Sequence, residues 1–69
     1  MYLVLEIQST EDNVSTLSYS YDDQKTAMNK YYTILAAASS SEVPYHGAAF
    51  FDNAALMKAD FIDHTMVYI

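Results

Sequence analysis

Four stretches of this sequence alternate side chains with a period of two, and one stretch between the second and third changes to the period of a helix. "YLVLEIQ" (2–8) sets Leu3, Leu5 and Ile7 on one side of a strand and Tyr2, Val4, Glu6 and Gln8 on the other. The first set is the more apolar, so the pattern predicts it as the inner side. "STEDN" follows with turn formers but no glycine, leaving Asn13 as the residue best able to take a positive φ. "VSTLSYSY" alternates again, with Leu17, Tyr19 and Tyr21 expected inward and the serines outward. The two stretches read as a β-hairpin.

The period changes after Tyr21. Asp22 or Asp23 can cap a helix start, accepting from its free N–H groups and matching its dipole. Ala27, Tyr31, Ile34, Leu35 and Ala38 then recur on one helical stripe, the expected core side. Ser39–Ser41 end the helix, and Pro44 keeps Val43 out of helical geometry. "YHGAAFF" resumes period two, and Asp52-Asn53 offers a tight two-residue turn. "AALMKADFIDH" sets Ala55, Met57, Ala59 and Phe61 against Leu56, Lys58, Asp60 and Ile62, with the first, smaller set expected against the helix. The predicted class is α+β: a two-layer ββαββ domain over residues 1–64, with a four-stranded, mainly antiparallel sheet and one helix on one face. Residues 65–69, "TMVYI", form an apolar tail expected to act as an interface or a strand extension.

At 69 residues such a domain is near the size at which one hydrophobic core suffices, so a staple is expected. The absence of cysteine excludes disulfides and thiolate metal sites, and two histidines are thin for a structural zinc site. Self-association remains, and a homodimer is the expected form. Nine acidic residues against three lysines give a formal charge of −6, which argues against direct binding to nucleic acid. The start of the chain has no basic segment ahead of its short apolar run, and no apolar stretch is long enough to span a bilayer. The expectation is a cytoplasmic protein without a membrane partner.

No motif in the sequence carries catalysis. There is no Gly-x-Ser-x-Gly elbow, and Gly47 is the only glycine. No catalytic residue, metal ligand or cofactor is therefore assigned, and the chain is not read as an enzyme. His46 and His64, with nearby carboxylates, supply an alternative: a small-ligand or metal-binding module, should the last strand lie beside "YHGAAFF" in the right register. Asp22, Asp23, Glu42 and Asp52 belong to an acidic surface able to attract a positively charged partner or imitate a phosphate backbone.

The outer face of the predicted sheet is the strongest functional signal. Tyr2, Val4, Val14, Leu56 and Ile62 are assigned to it, and Met66, Val67, Tyr68 and Ile69 would extend it. A sheet covered by one helix leaves such a cluster bare, and a clustered apolar patch marks an interface.

"YLVLEIQ" (2–8), "YDD" (21–23) heading a helix that runs through "KYYTILAAA" (30–38), "VPYHGAAF" (43–50) and "FIDH" (61–64) carry a resemblance. The chain resembles a group of short bacterial proteins from gut Gram-positive genomes and their mobile elements. It covers residues 2–64, with the helix the most specific part. The group has no assigned activity, so the resemblance implies fold and origin but no chemistry. Two departures stand out: "FFDNAAL" is shorter than the group's glycine-containing turn, and "TMVYI" lies beyond the matching region. The combined expectation is a small acidic protein-interaction protein of phage or mobile-element origin. It would engage a host protein, and an inhibitor of a defence or nucleic-acid-handling enzyme is the sharper form.

Overall fold

A computed structural model describes residues 1–65 as the ββαββ arrangement expected. Strands β1 (Tyr2–Ser9) and β2 (Val14–Tyr21) form the first hairpin, helix α1 (Gln24–Ser39) follows, and β3 (Tyr45–Asp52) with β4 (Ala55–Asp63) forms the second. All neighbouring strands are antiparallel, in the order β2-β1-β3-β4. The first and third strands thus sit at the centre, and the helix bridges the two hairpins across one face.

Asp23 is the helix cap. Its carboxylate accepts from the Thr26 backbone N–H at 2.9 Å and from the Thr26 hydroxyl at 2.8 Å. These bonds favour the ionised form and hold its pKa below the ordinary carboxylate value, the backbone N–H having the larger effect. At the other end the Ser40 N–H reaches the Ala37 carbonyl, closing a last tight turn. The predicted stripe is the buried one: Ala27, Tyr31, Ile34 and Ala38 are buried and Leu35 packs beside them.

That stripe lies on a different face of the sheet from the one the pattern predicts. Val4 is fully buried beneath the helix with Ala48 and Phe50, and Tyr2, Tyr19 and Tyr21 pack around this cluster. Tyr2 stacks on Phe50, with ring centroids 5.9 Å apart, and Tyr31 meets Phe50 edge-on at 6.4 Å. Burying side chains such as Val4 and Tyr31 stabilises the fold by roughly 1.5–3 kcal/mol each. Tyr2, Val4, Glu6 and Gln8 are therefore the helix side of β1, and Leu3, Leu5 and Ile7 the open side. The inward assignment of Tyr19 and Tyr21 holds. Leu17 lies opposite Glu6 on that same side but remains 55% exposed at the sheet edge.

β4 departs from prediction in two further ways. Its turn is Asn53-Ala54, not Asp52-Asn53, with φ of 51° and 73°, the pair of positive values a two-residue hairpin of this twist demands. A bulge then interrupts the alternation. Lys58 stands opposite Phe50 but Leu56 opposite Phe51, so Met57 is the extra residue. Lys58, Asp60 and Ile62 take the helix side, Ala59 and Phe61 the open side, and the bulge brings Leu56 over to the open side as well.

Candidate interaction surface

The face away from the helix is built in rows across the four strands. Ser20, Leu3, Phe51 and Leu56 form one row, then Ser18, Leu5, Ala49 and Ala59, then Thr16, Ile7, Gly47 and Phe61. A last row holds Val14, Ser9, Tyr45 and Asp63. Asp63 is the one charged residue among these sixteen positions. Leu3, Leu5, Ile7 and Phe51 are half-buried by their neighbours, whereas Val14, Leu56 and Phe61 are 62%, 60% and 52% exposed.

Gly47 shapes this surface. A β-carbon there would meet the Asp60 carbonyl oxygen and lie 2.7 Å from the Phe61 ring, so the ring occupies the space a side chain would take. The Phe61 ring thereby lies over Gly47, in the row that also holds Ile7. The central row, with Ala49 and Ala59, is shallow and is flanked by the rows bearing Phe51 and Phe61.

The residues assigned to the interface from sequence divide between the two faces. Val14 and Leu56 are on the open face and exposed. Tyr2, Val4 and Ile62 are on the helix face: Val4 has no exposed surface, Tyr2 is stacked on Phe50, and Ile62 pairs with His46. Val4, fully buried, cannot meet a partner, and Tyr2 and Ile62 share its helix-covered side of the sheet, partly buried there. The open face instead carries Leu3, Leu5, Ile7, Phe51 and Phe61. The greater hydrophobicity of Leu3, Leu5 and Ile7 pointed them inward, and nothing in the alternation marked Phe51 or Phe61 as outer. Met66, Val67, Tyr68 and Ile69 lie outside the described residues.

The helix face holds the polar groups that an open face could have left in water. His46 is buried, and its Nε2 lies 2.7 Å from the Glu6 carboxylate, which has only acceptors, so Nε2–H donates. Nδ1 of His46 has no partner among the described residues. The Tyr31 hydroxyl donates to Asp60, and burial, followed by this carboxylate, raises its pKa above the ordinary tyrosine value. His64 bonds the Ala38 carbonyl through Nε2 at 2.7 Å, and its own backbone N–H donates to the Pro44 carbonyl at 2.7 Å. The last strand does lie beside "YHGAAFF", yet the two histidines serve separate bonds. Among the described residues, no three His, Asp or Glu side chains are grouped closely enough to hold a metal ion.

Seven of the nine acidic residues collect at the two ends of the sheet, Glu6 and Asp60 being the exceptions on the helix face. The register places Tyr21, Tyr2 and Asp52 in one terminal row, so Asp22, Asp23 and Asp52 share that end. Glu42 belongs to the opposite end, with Glu11, Asp12 and Asp63. They form two clusters instead of one stripe. No described helix is long and apolar enough to cross a membrane. Compared with protein-family models, with curated proteins and with solved structures, the chain finds no match in any of the three.

Proposed function

We propose that this protein is a non-enzymatic interaction protein, that its open sheet face is the binding surface, and that a second copy of the chain covers it. The observation that carries the reading is the inversion of the sheet: its more apolar face is the one the helix leaves bare. Leu3, Leu5, Ile7, Phe51 and Phe61 resemble the inner side of a two-sheet sandwich, which packs about 10 Å from its mate.

Charge favours a second copy as the occupant. Each chain carries −6, and two such chains repel wherever their acidic ends meet. The open face is nearly free of charge, so two copies can approach through it with little repulsion. Shape supports the same choice. A two-fold rotation can set the Phe51 or Phe61 ring of one copy against the alanine row of the other, a self-complementary arrangement. The association would also supply the staple that a chain of this size without disulfides lacks. A host protein then meets the dimer through the surfaces that remain.

Light scattering over a dilution series tests this reading. The native chain is expected at twice the monomer mass, falling to the monomer on dilution. Leu5→Lys, which places a charge at the centre of the face, is expected to be a folded monomer at every concentration. Native protein that is monomeric throughout, or a Leu5→Lys variant that stays dimeric, would overturn it.

A further inference from the structure

The sheet has two edges, and they are defended differently. β4 carries the bulge at Met57, with Lys58, Asp60 and Asp63 along its length. Bulges and charges are the devices that keep an edge from pairing. β2 has none of them. Its eight residues, "VSTLSYSY", contain no charge, no proline and no glycine, and they stay in unbroken register with β1 from Val14 to Tyr21. Among the described residues β2 pairs on one side only, with β1. Its outer backbone groups are a template for one more strand.

What brackets β2 selects the strand. Glu11 and Asp12 stand just before it and Asp22 and Asp23 just after, all four exposed. Asp23 is held ionised by its capping bonds. The middle of the edge has the opposite sign on its helix side, where the Lys30 ammonium lies 4.1 Å from the centre of the Tyr19 ring. The edge is therefore negative at both ends and neutral to positive between them.

A second copy does not suit this edge. Antiparallel self-pairing would bring Glu11 and Asp12 of one chain against Asp22 and Asp23 of the other, at both ends of the seam. Parallel pairing would set each acidic pair against its own counterpart. Like charges so placed oppose association.

We infer that β2 accepts an extended segment of another protein, alternating in hydroxyl and apolar residues and basic at both ends, as a fifth strand of the sheet. Main-chain hydrogen bonds supply the pairing, as in other cases of strand addition, and the cations at the two ends fix position along the edge. The inference uses the outer backbone groups of β2, not the apolar centre of the open face around Leu5, and it stands or falls independently of self-association.

The probe is a synthetic peptide of eight alternating Thr and Val residues with Lys-Lys at each end, titrated by fluorescence anisotropy and followed by amide hydrogen exchange. It is expected to bind the native chain and Leu5→Lys alike, to slow exchange along Val14–Tyr21, and to weaken as salt is added. Gln-Gln ends, or the combined Glu11→Gln, Asp12→Asn and Asp22→Asn variant, should weaken binding about tenfold, since each exposed pair contributes little alone. Asp23 is left in place because it caps the helix. A peptide N-methylated at alternate residues along one edge should not bind. Equal binding by the Gln-ended or N-methylated peptide, or protection appearing along β4, would overturn the inference.

Discussion

The two faces of this sheet are unlike, and in the reverse of the usual sense. The covered face includes Glu6, Gln8, His46, Lys58 and Asp60, together with the Tyr31 hydroxyl above it. The open face presents Leu3, Leu5, Ile7, Phe51 and Phe61. Covering the more apolar side would have gained more burial for one helix. What the helix gains instead is a small aromatic and alanine core, Val4, Ala27, Tyr31, Ala48 and Phe50, in which the polar groups bond one another. The helix-side core is complete without the open face, which is what leaves that face available.

The sharpest contrast is between two adjacent phenylalanines. Phe50 lies in the core and Phe51 on the open face. Phe50→Ala should cost about 3–5 kcal/mol, enough to unfold most of the chain, as seen by circular dichroism and urea denaturation. Phe51→Ala should keep the fold in dilute solution and lose association instead. Equal effects on the isolated fold would erase the distinction between the faces.

Next in size is the buried pair on the covered face. Glu6→Leu leaves the His46 Nε2–H without an acceptor and should cost about 2–3 kcal/mol in urea unfolding. Adding His46→Leu should recover much of that loss, because replacing both partners removes the unsatisfied group. A double variant no better than the single one would mean that the pair has no shared role.

Alkaline titration probes the same face. The folded pKa of Tyr31 is raised, so the folded state keeps its proton where the unfolded chain has already released it. The stabilisation is full below the ordinary tyrosine pKa and is lost as pH rises from there toward the folded value. Tyr31→Phe should remove this part of the alkaline loss in thermal melts, and an unchanged alkaline limb would contradict the assignment.

The smallest effect belongs to the second hairpin. Ala54 holds a φ of 73°, where a β-carbon is unfavourable. Ala54→Gly should raise stability by about 1 kcal/mol, or roughly 4–8 °C in melting temperature for a domain of this size. It should do so without changing association, since the turn lies away from the centre of the open face.

Much of this fold was legible in the residues. The period-two stretches located all four strands, the stripe from Ala27 to Ala38 located the buried side of the helix, and the aspartates located its cap. The face was not legible, because alternation defines two sides of a strand without saying which one a helix covers. Hydrophobicity favoured Leu3, Leu5 and Ile7, and it could not register that Glu6 would find His46, forty residues away, or that Tyr31 would find Asp60. In β4 the added Met57 changed the alternation midway, so the predicted outer residues Leu56 and Ile62 ended on opposite faces. Bulges leave little trace in a pattern of single residues. The residues assigned to the outer face were thus misplaced by one face on β1 and on much of β4.

The proposed dimer brings the open faces of two copies together. It is tested most directly by isotope-filtered nuclear Overhauser measurements on an equal mixture of labelled and unlabelled chains. Intermolecular contacts are expected from the Leu5 and Ile7 methyl groups to the Phe51 and Phe61 rings. A mixture in which those methyl groups show contacts only within their own chain would contradict it.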